Sequence, residues 1–222
     1  RVKQTMREDG IGIGSAFSEQ QHIAGTTGSY GALRVKGGNE RTVSELARWL
    51  LAQPWCGHVF TPGGNGIVGG VPGTLDRAML MVANDRAPEV YYTMRTDDTP
   101  NKWGMKGSCF FDSSEVPAGG GVHGGLHVRE MNNVLAARGS QFRQGYSSPW
   151  PAGHTDIVPT VLRALDLPTP STVTGRVLGE ALIETGFEPP ALETRVCSAE
   201  SGDSRQCVRL WRVGSTAYID QG

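Results

Sequence analysis

The stretch PAGHTDIVPTVLRALDLPTPSTVTGRVLGEAL, residues 151–182, decides how the chain reads. Asp156 stands where a helix N-cap belongs, because its carboxylate can accept from the free N–H groups of the first turn. Pro159 follows inside that turn, where a missing N–H costs little. Ile157, Val161, Leu162 and Leu165 then recur at helical spacing, so residues 156–168 are predicted as an amphipathic helix with that stripe turned to the core. TGRVLGEAL, residues 174–182, adds a short helical turn.

Working outward, NNVLAARG (132–139) reads as a short buried strand, and TVSELARWLLAQP (42–54) as a second clear helix. Thr42 and Glu45 have capping-box spacing there, with Val43, Leu46, Ala47 and Leu50 forming the apolar stripe. WCGHVFTPGG (55–64) is a short strand broken by glycine and proline, and PEVYYTMRTDD (88–98) is a strand rich in aromatic and β-branched residues. Thr96 to Glu130 carries almost no regular pattern, which in a folded chain points to a working loop or to disorder. At the beginning, Val2 and Met6 lie four apart before Gly10, the spacing of a helix end. The last thirty residues alternate apolar and polar as a terminal hairpin does. Strands interleaved with helices predict an α/β class.

Composition narrows the function. Lysine plus arginine number 21 against 22 acidic residues, a net charge of −1, which excludes the basic surface a nucleic-acid binder needs. No apolar run is long enough to span a bilayer, and no polybasic cluster offers an electrostatic membrane anchor. The 31 glycines show no period, so they mark loops rather than collagen. Of four cysteines none forms a CxxC pair, which argues against a zinc ribbon. Cys197 and Cys207 flank the turn-like SAESGDSRQ; they are either a cross-strand disulfide or two free thiols. A disulfide would place the protein in an oxidising compartment, periplasmic or secreted.

AGGGVHGGLHVREMNN, residues 118–133, holds the chemistry. His123 and His127 are four apart, the helical spacing of zinc proteases, but Gly124 and Gly125 between them disfavour a helix and no glutamate follows His123. The pair therefore comes apart. His123, with glycines close by, suits a loop-borne metal ligand, whereas His22 reads as exposed and His58 as a packed strand residue. Asp97 with Asp98, and Asp112 with Glu115, are oxygen donors for a hard cation in principle, but turn-forming loops explain them. Asn132 and Asn133 are placed to brace the His123 loop. TPGGNGIVGG (61–70) has phosphate-loop composition without the lysine and following helix.

HGGLHVREMNNVLAARGSQFRQG (123–145), followed by residues 151–182, resembles the C-terminal part of the alkaline phosphatase superfamily, within it the bacterial type I phosphodiesterase/nucleotide pyrophosphatase group. GVPGTL (70–75), RAPEVYYTMRTDDTPNKWG (86–104) and RVGSTAYIDQG (212–222) extend the likeness over the chain from about Ala47. The resemblance implies the C-terminal portion of a single α/β sandwich domain over residues 1–222, with a loop-rich insert at about 61–121 and a terminal hairpin at about 192–222. It implies a two-metal hydrolase, usually zinc, that cleaves a small phosphoester, a nucleotide among the candidates, by in-line displacement through a covalent phospho-enzyme. His123 matches the last metal ligand of the family. His127 matches nothing, and His154 takes a place often held by asparagine. The nucleophile, paired aspartates and aspartate–histidine motifs of the family belong upstream and are missing here, so the chain is expected to be a portion of a longer enzyme and inactive by itself. The rival expectations are a degenerate homologue with a structural or binding role, and a sulfatase or phosphonate hydrolase of the same superfamily.

Overall fold

The helix read from residues 42–54 forms as α2 (Glu40–Leu51), and Val43, Leu46, Ala47 and Leu50 are all buried. Its start lies earlier than the expected capping box, because Asn39 Oδ1 accepts from the Thr42 N–H at 3.0 Å. The computed structural model describes residues 2–14, 17, 21–82, 84–111, 116–183, 187–188, 190–202 and 204–222. Asp112 and Glu115 lie outside the described residues. The chain divides into two compact units, the first of residues 1–132, 197–208 and 221–222, the second of residues 133–196 and 209–220.

In the first unit α1 (Val2–Glu8) buries Val2 and Met6 and is followed by Gly10 at φ +78°. A six-stranded sheet comes next, built from β1 (Ile11–Ile13), β2 (Ile23–Thr27), β3 (Tyr30–Val35), β4 (Cys56–Thr61), β5 (Leu75–Asp76) and β6 (Val90–Met94). Its order is β1-β2-β3-β6-β4-β5. The outer pairs β1/β2 and β4/β5 are parallel and the inner ones antiparallel, so the sheet is mixed. The α2 stripe joins Leu33, Val35, Val59, Val90, Tyr92 and Met94 in one core. Each such fully buried aliphatic side chain contributes about 1.5–3 kcal/mol. Trp55 stands edge-on to both Trp49 and Tyr92, with centroids 5.9 and 5.7 Å apart. The Tyr92 hydroxyl donates to Thr27 Oγ1 at 2.6 Å, and its ring crosses β3 so closely that a Cβ on Gly31 would lie 2.0 Å from it.

The segment from Thr96 to Glu130 is largely irregular, as expected, apart from the small ladder of β7 (Thr96–Asp97) with β8 (Ser108–Cys109) and the single turn α3 (Val128–Met131).

The second unit corrects two expectations. Residues 134–139 form no strand, and Val134 is 89% exposed. The helix appears as α4 (Ile157–Ala164), but Ile157, Val161 and Leu165 of the expected stripe face solvent, while Pro159, Thr160 and Asp156 are buried. A polar network turns the helix. Asp156, fully buried, accepts from Gly153 N, Arg176 N and the Tyr218 hydroxyl, each at 2.8 Å. Thr160 Oγ1 donates to the Asp156 carbonyl and accepts from Leu178 N. Arg176 makes two hydrogen bonds to Glu180, at 2.9 and 2.7 Å, and further ones to Tyr218 Oη and the Pro151 carbonyl. Burial pulls the Arg176 pKa down and the Glu180 pKa up, yet their pairing outweighs it and both stay charged. The network ties Asp156 of PAGHTD to Arg176 of TGRVLGE, and Arg176 to Glu180 of the same stretch. The short turn expected near 174–182 is present at Gly179–Ala181.

The terminal segment is a three-stranded sheet of β9 (Leu192–Ser201), β10 (Ser204–Val213) and β11 (Thr216–Gln221), with β10 central. Connections of two residues require antiparallel neighbours. The possible disulfide is absent: Cys197 and Cys207 are free thiols. Cys197 shares the buried face with Ala199, whereas Cys207 alternates against buried Gln206 and Val208. Period-two alternation sets them on opposite faces. Among the described residues no helix is long and apolar enough to cross a membrane.

Candidate functional site

The site belongs to the first unit and begins where β3 starts. Ser29, 7% exposed, donates its hydroxyl to the His123 carbonyl, and its own carbonyl accepts from Met94 N at 3.0 Å. Gly124 continues at φ +106°, where a Cβ would stand 2.6 Å from the Tyr30 ring. Only glycine serves there. The Gly125 amide donates to Glu130 Oε2 at 2.5 Å, and Leu126 O accepts from Gly222 N at 2.8 Å. The loop is thus held at three backbone groups just after the histidine, the His123 carbonyl, the Gly125 amide and the Leu126 carbonyl.

His123 itself is exposed, and its ring makes no hydrogen bond to a described residue. His127 is the reverse. Its Nε2 faces Asp98 Oδ1 at 3.0 Å, and its Nδ1 accepts from Arg129 N at 3.2 Å, capping α3. Those partners require the tautomer with the proton on Nε2, and they leave no lone pair for a metal. The two histidines have separate jobs, one fastening the loop and one presented by it.

Glu130 takes the bracing role expected of Asn132 and Asn133. Asn132 only closes α3 through its backbone, and Asn133 Oδ1 accepts from the neighbouring Val134 N. Glu130 Oε1 is buried with no hydrogen-bond partner among the described residues. Cys109 lies nearby; burial, and then the Glu130 charge, raise its thiol pKa, so it stays protonated.

His58 is locked on both ring nitrogens, by the Thr93 hydroxyl at 3.2 Å and the Cys207 carbonyl at 3.1 Å. Burial lowers its pKa, although the Cys207 carbonyl works against the shift. It borders an open cleft of about 830 Å³, which Arg95, His127, Arg205 and Gly222 also line. Cys56 faces the same cleft as a thiol pushed up to about 12 by burial, and is no nucleophile at neutral pH.

The remaining candidates are structural. Asp97 accepts from Thr99 N at 2.7 Å, a bond that lowers its pKa, and closes a turn. His22 is exposed, and His154 opens the 3₁₀ turn before α4. In the loop 61–70 five of the amides are spent internally. Gly66 N donates to Asp76, Ile67 N and Val68 N to Asn65, Gly69 N to Thr74 O and Gly70 N to Pro62 O.

Among the described residues no three His, Cys, Asp or Glu side chains converge as a metal site would require. Ser29 and Glu130 escaped the sequence reading, since neither stands in a motif. Glu130, five residues beyond Gly125, was the available signal. The chain matches no protein-family model, and no curated protein or solved structure is significantly similar to it.

Proposed function

We propose that the chain is the C-terminal portion of an alkaline-phosphatase-like hydrolase that cleaves phosphodiester or phosphomonoester bonds of a small substrate, and that His123 is one of its metal ligands. The observation that carries this reading is an imidazole with no hydrogen-bond partner among the described residues, exposed on a loop pinned just after it, at the His123 carbonyl by Ser29 and at the Gly125 amide by Glu130. A neutral imidazole on a preorganised loop is what a zinc-like ion recruits. The described residues supply this one ligand and not a complete set, so the reading requires the nucleophile and the other ligands to come from sequence upstream of this chain. A divalent metal bound there would supply Lewis-acid polarisation of the phosphoryl oxygens. This chain's own residues hold the ligand: Ser29 by the His123 carbonyl, Glu130 by the peptide after Gly124, His127 by capping α3.

The lack of a converging cluster among the described residues favours a second reading, a degenerate homologue that has lost the chemistry. One experiment separates them. Zinc content and hydrolysis of a bis-aryl phosphate are measured for the protein carrying the upstream reading frame, with and without His123→Ala. The proposal expects the variant to lose bound zinc and nearly all hydrolysis. Zinc content and turnover unaffected by the substitution would remove His123 from the site, and a parent with neither zinc nor turnover would leave the degenerate reading.

A further inference from the structure

The outer edge of β9 is open. β9 is the last strand of its sheet, and no strand of the described residues pairs with its free side. Its first five residues, Leu192, Glu193, Thr194, Arg195 and Val196, are all exposed, Val196 at 62%. An open edge of this kind presents unpaired N–H and C=O groups and is a template for another strand unless charge or twist forbids it. Glu193 and Arg195 have no ion-pair partner among the described residues, so their charges are free to select what approaches.

We infer that this edge is a self-association surface, on which a second copy of the chain adds its own β9 antiparallel across a two-fold axis through Thr194. The five residues are complementary to themselves only in that arrangement. Pairing about Thr194 sets Glu193 opposite Arg195 of the partner subunit, and Arg195 opposite the partner subunit's Glu193. On the other face Leu192 meets Val196 of the partner subunit, and the reverse, with the two Thr194 side chains between them. Directly opposed residues in an antiparallel pair point to the same face, so the charged pairs lie on one side and the apolar pairs on the other. A parallel, in-register copy would instead set glutamate against glutamate and arginine against arginine, which is unfavourable. An isologous two-fold contact of this type closes on itself and does not propagate. A five-residue ladder buries less than the roughly 1,000 Å² of a stable interface, so the association is weak and depends on concentration.

Charge reversal tests the geometry. Glu193→Arg leaves arginine at both positions of each strand, and Arg195→Glu leaves glutamate at both. Each variant alone would place like charges opposite one another and should self-associate about tenfold more weakly than wild type in sedimentation velocity. Mixed in equal amounts, the two variants should recover association, because arginines then face glutamates throughout. The double variant Glu193→Arg/Arg195→Glu should associate like wild type. All the changes are at exposed positions, and circular dichroism checks that folding is retained. A wild-type chain that stays monomeric up to about millimolar concentration overturns the inference. So do single variants that associate as wild type does, which would assign the dimer to another face, and so does a mixture that fails to recover.

Discussion

Replacing Asp156 by alanine should strongly destabilise the second unit while leaving the first unchanged. The carboxylate receives three hydrogen bonds of 2.8 Å in a fully buried position. Removing it orphans the Gly153 and Arg176 amides, each at a cost of about 1–3 kcal/mol. The Tyr218 hydroxyl keeps its bond from Arg176 Nε and loses less. Breaking a buried charge-linked network costs about 3–5 kcal/mol in total, against a whole-domain stability of about 5–15 kcal/mol. Amide exchange followed by mass spectrometry reads the two units separately, which a single melting curve does not. Peptides spanning residues 150–182 should lose about two to nearly four orders of magnitude of protection, and those covering α2 should be unchanged. Tyr218→Phe is the milder control, expected to cost about 1–2 kcal/mol. A loss below about 1 kcal/mol in the alanine variant, or an equal loss in α2, would refute the assignment of Asp156 as the hub.

Two further outcomes follow from buried groups of the first unit. Burial lowers the His58 pKa, so its neutral form supports the fold; that contribution is present above the ordinary histidine value of about 6.5 and is lost as pH falls through the folded value. The imidazole of His58 should therefore titrate below that value by NMR, and one titrating at or above it contradicts the buried, doubly bonded ring. Mass spectrometry under non-reducing, denaturing conditions with thiol alkylation should label all four cysteines, and a linked Cys197–Cys207 peptide would contradict the opposite-face placement.

Elements whose stripe found a matching apolar surface were legible. Val43, Leu46, Ala47 and Leu50 are buried as their spacing predicts, and Val90–Met94 forms the aromatic-rich strand. The same rule misplaced the face of α4. There a buried carboxylate and Thr160 outcompete Ile157, Val161 and Leu165, since an unsatisfied Asp156 would cost more than the exposed aliphatics forfeit. Val134 and Leu135 looked like a strand because a short apolar run carries no information about its partner, and among the described residues they pair with no strand and are exposed. At the site, the glycines beside His123 were readable as a backbone requirement. Its supports were not, because Ser29 lies 94 residues away in sequence, and no spacing rule connects them.

Gly31 and Tyr92 also constrain how the sequence can change. A side chain at position 31 collides with the Tyr92 ring, while a smaller residue at position 92 first opens a hole beside Trp55 and releases the Thr27 hydroxyl. Truncating a buried aromatic costs about 3–5 kcal/mol. Either substitution alone is penalised, and only the two together could be neutral, so the pair forms a fitness valley that single-step drift does not cross. Replacements at these two positions should therefore be found jointly or not at all.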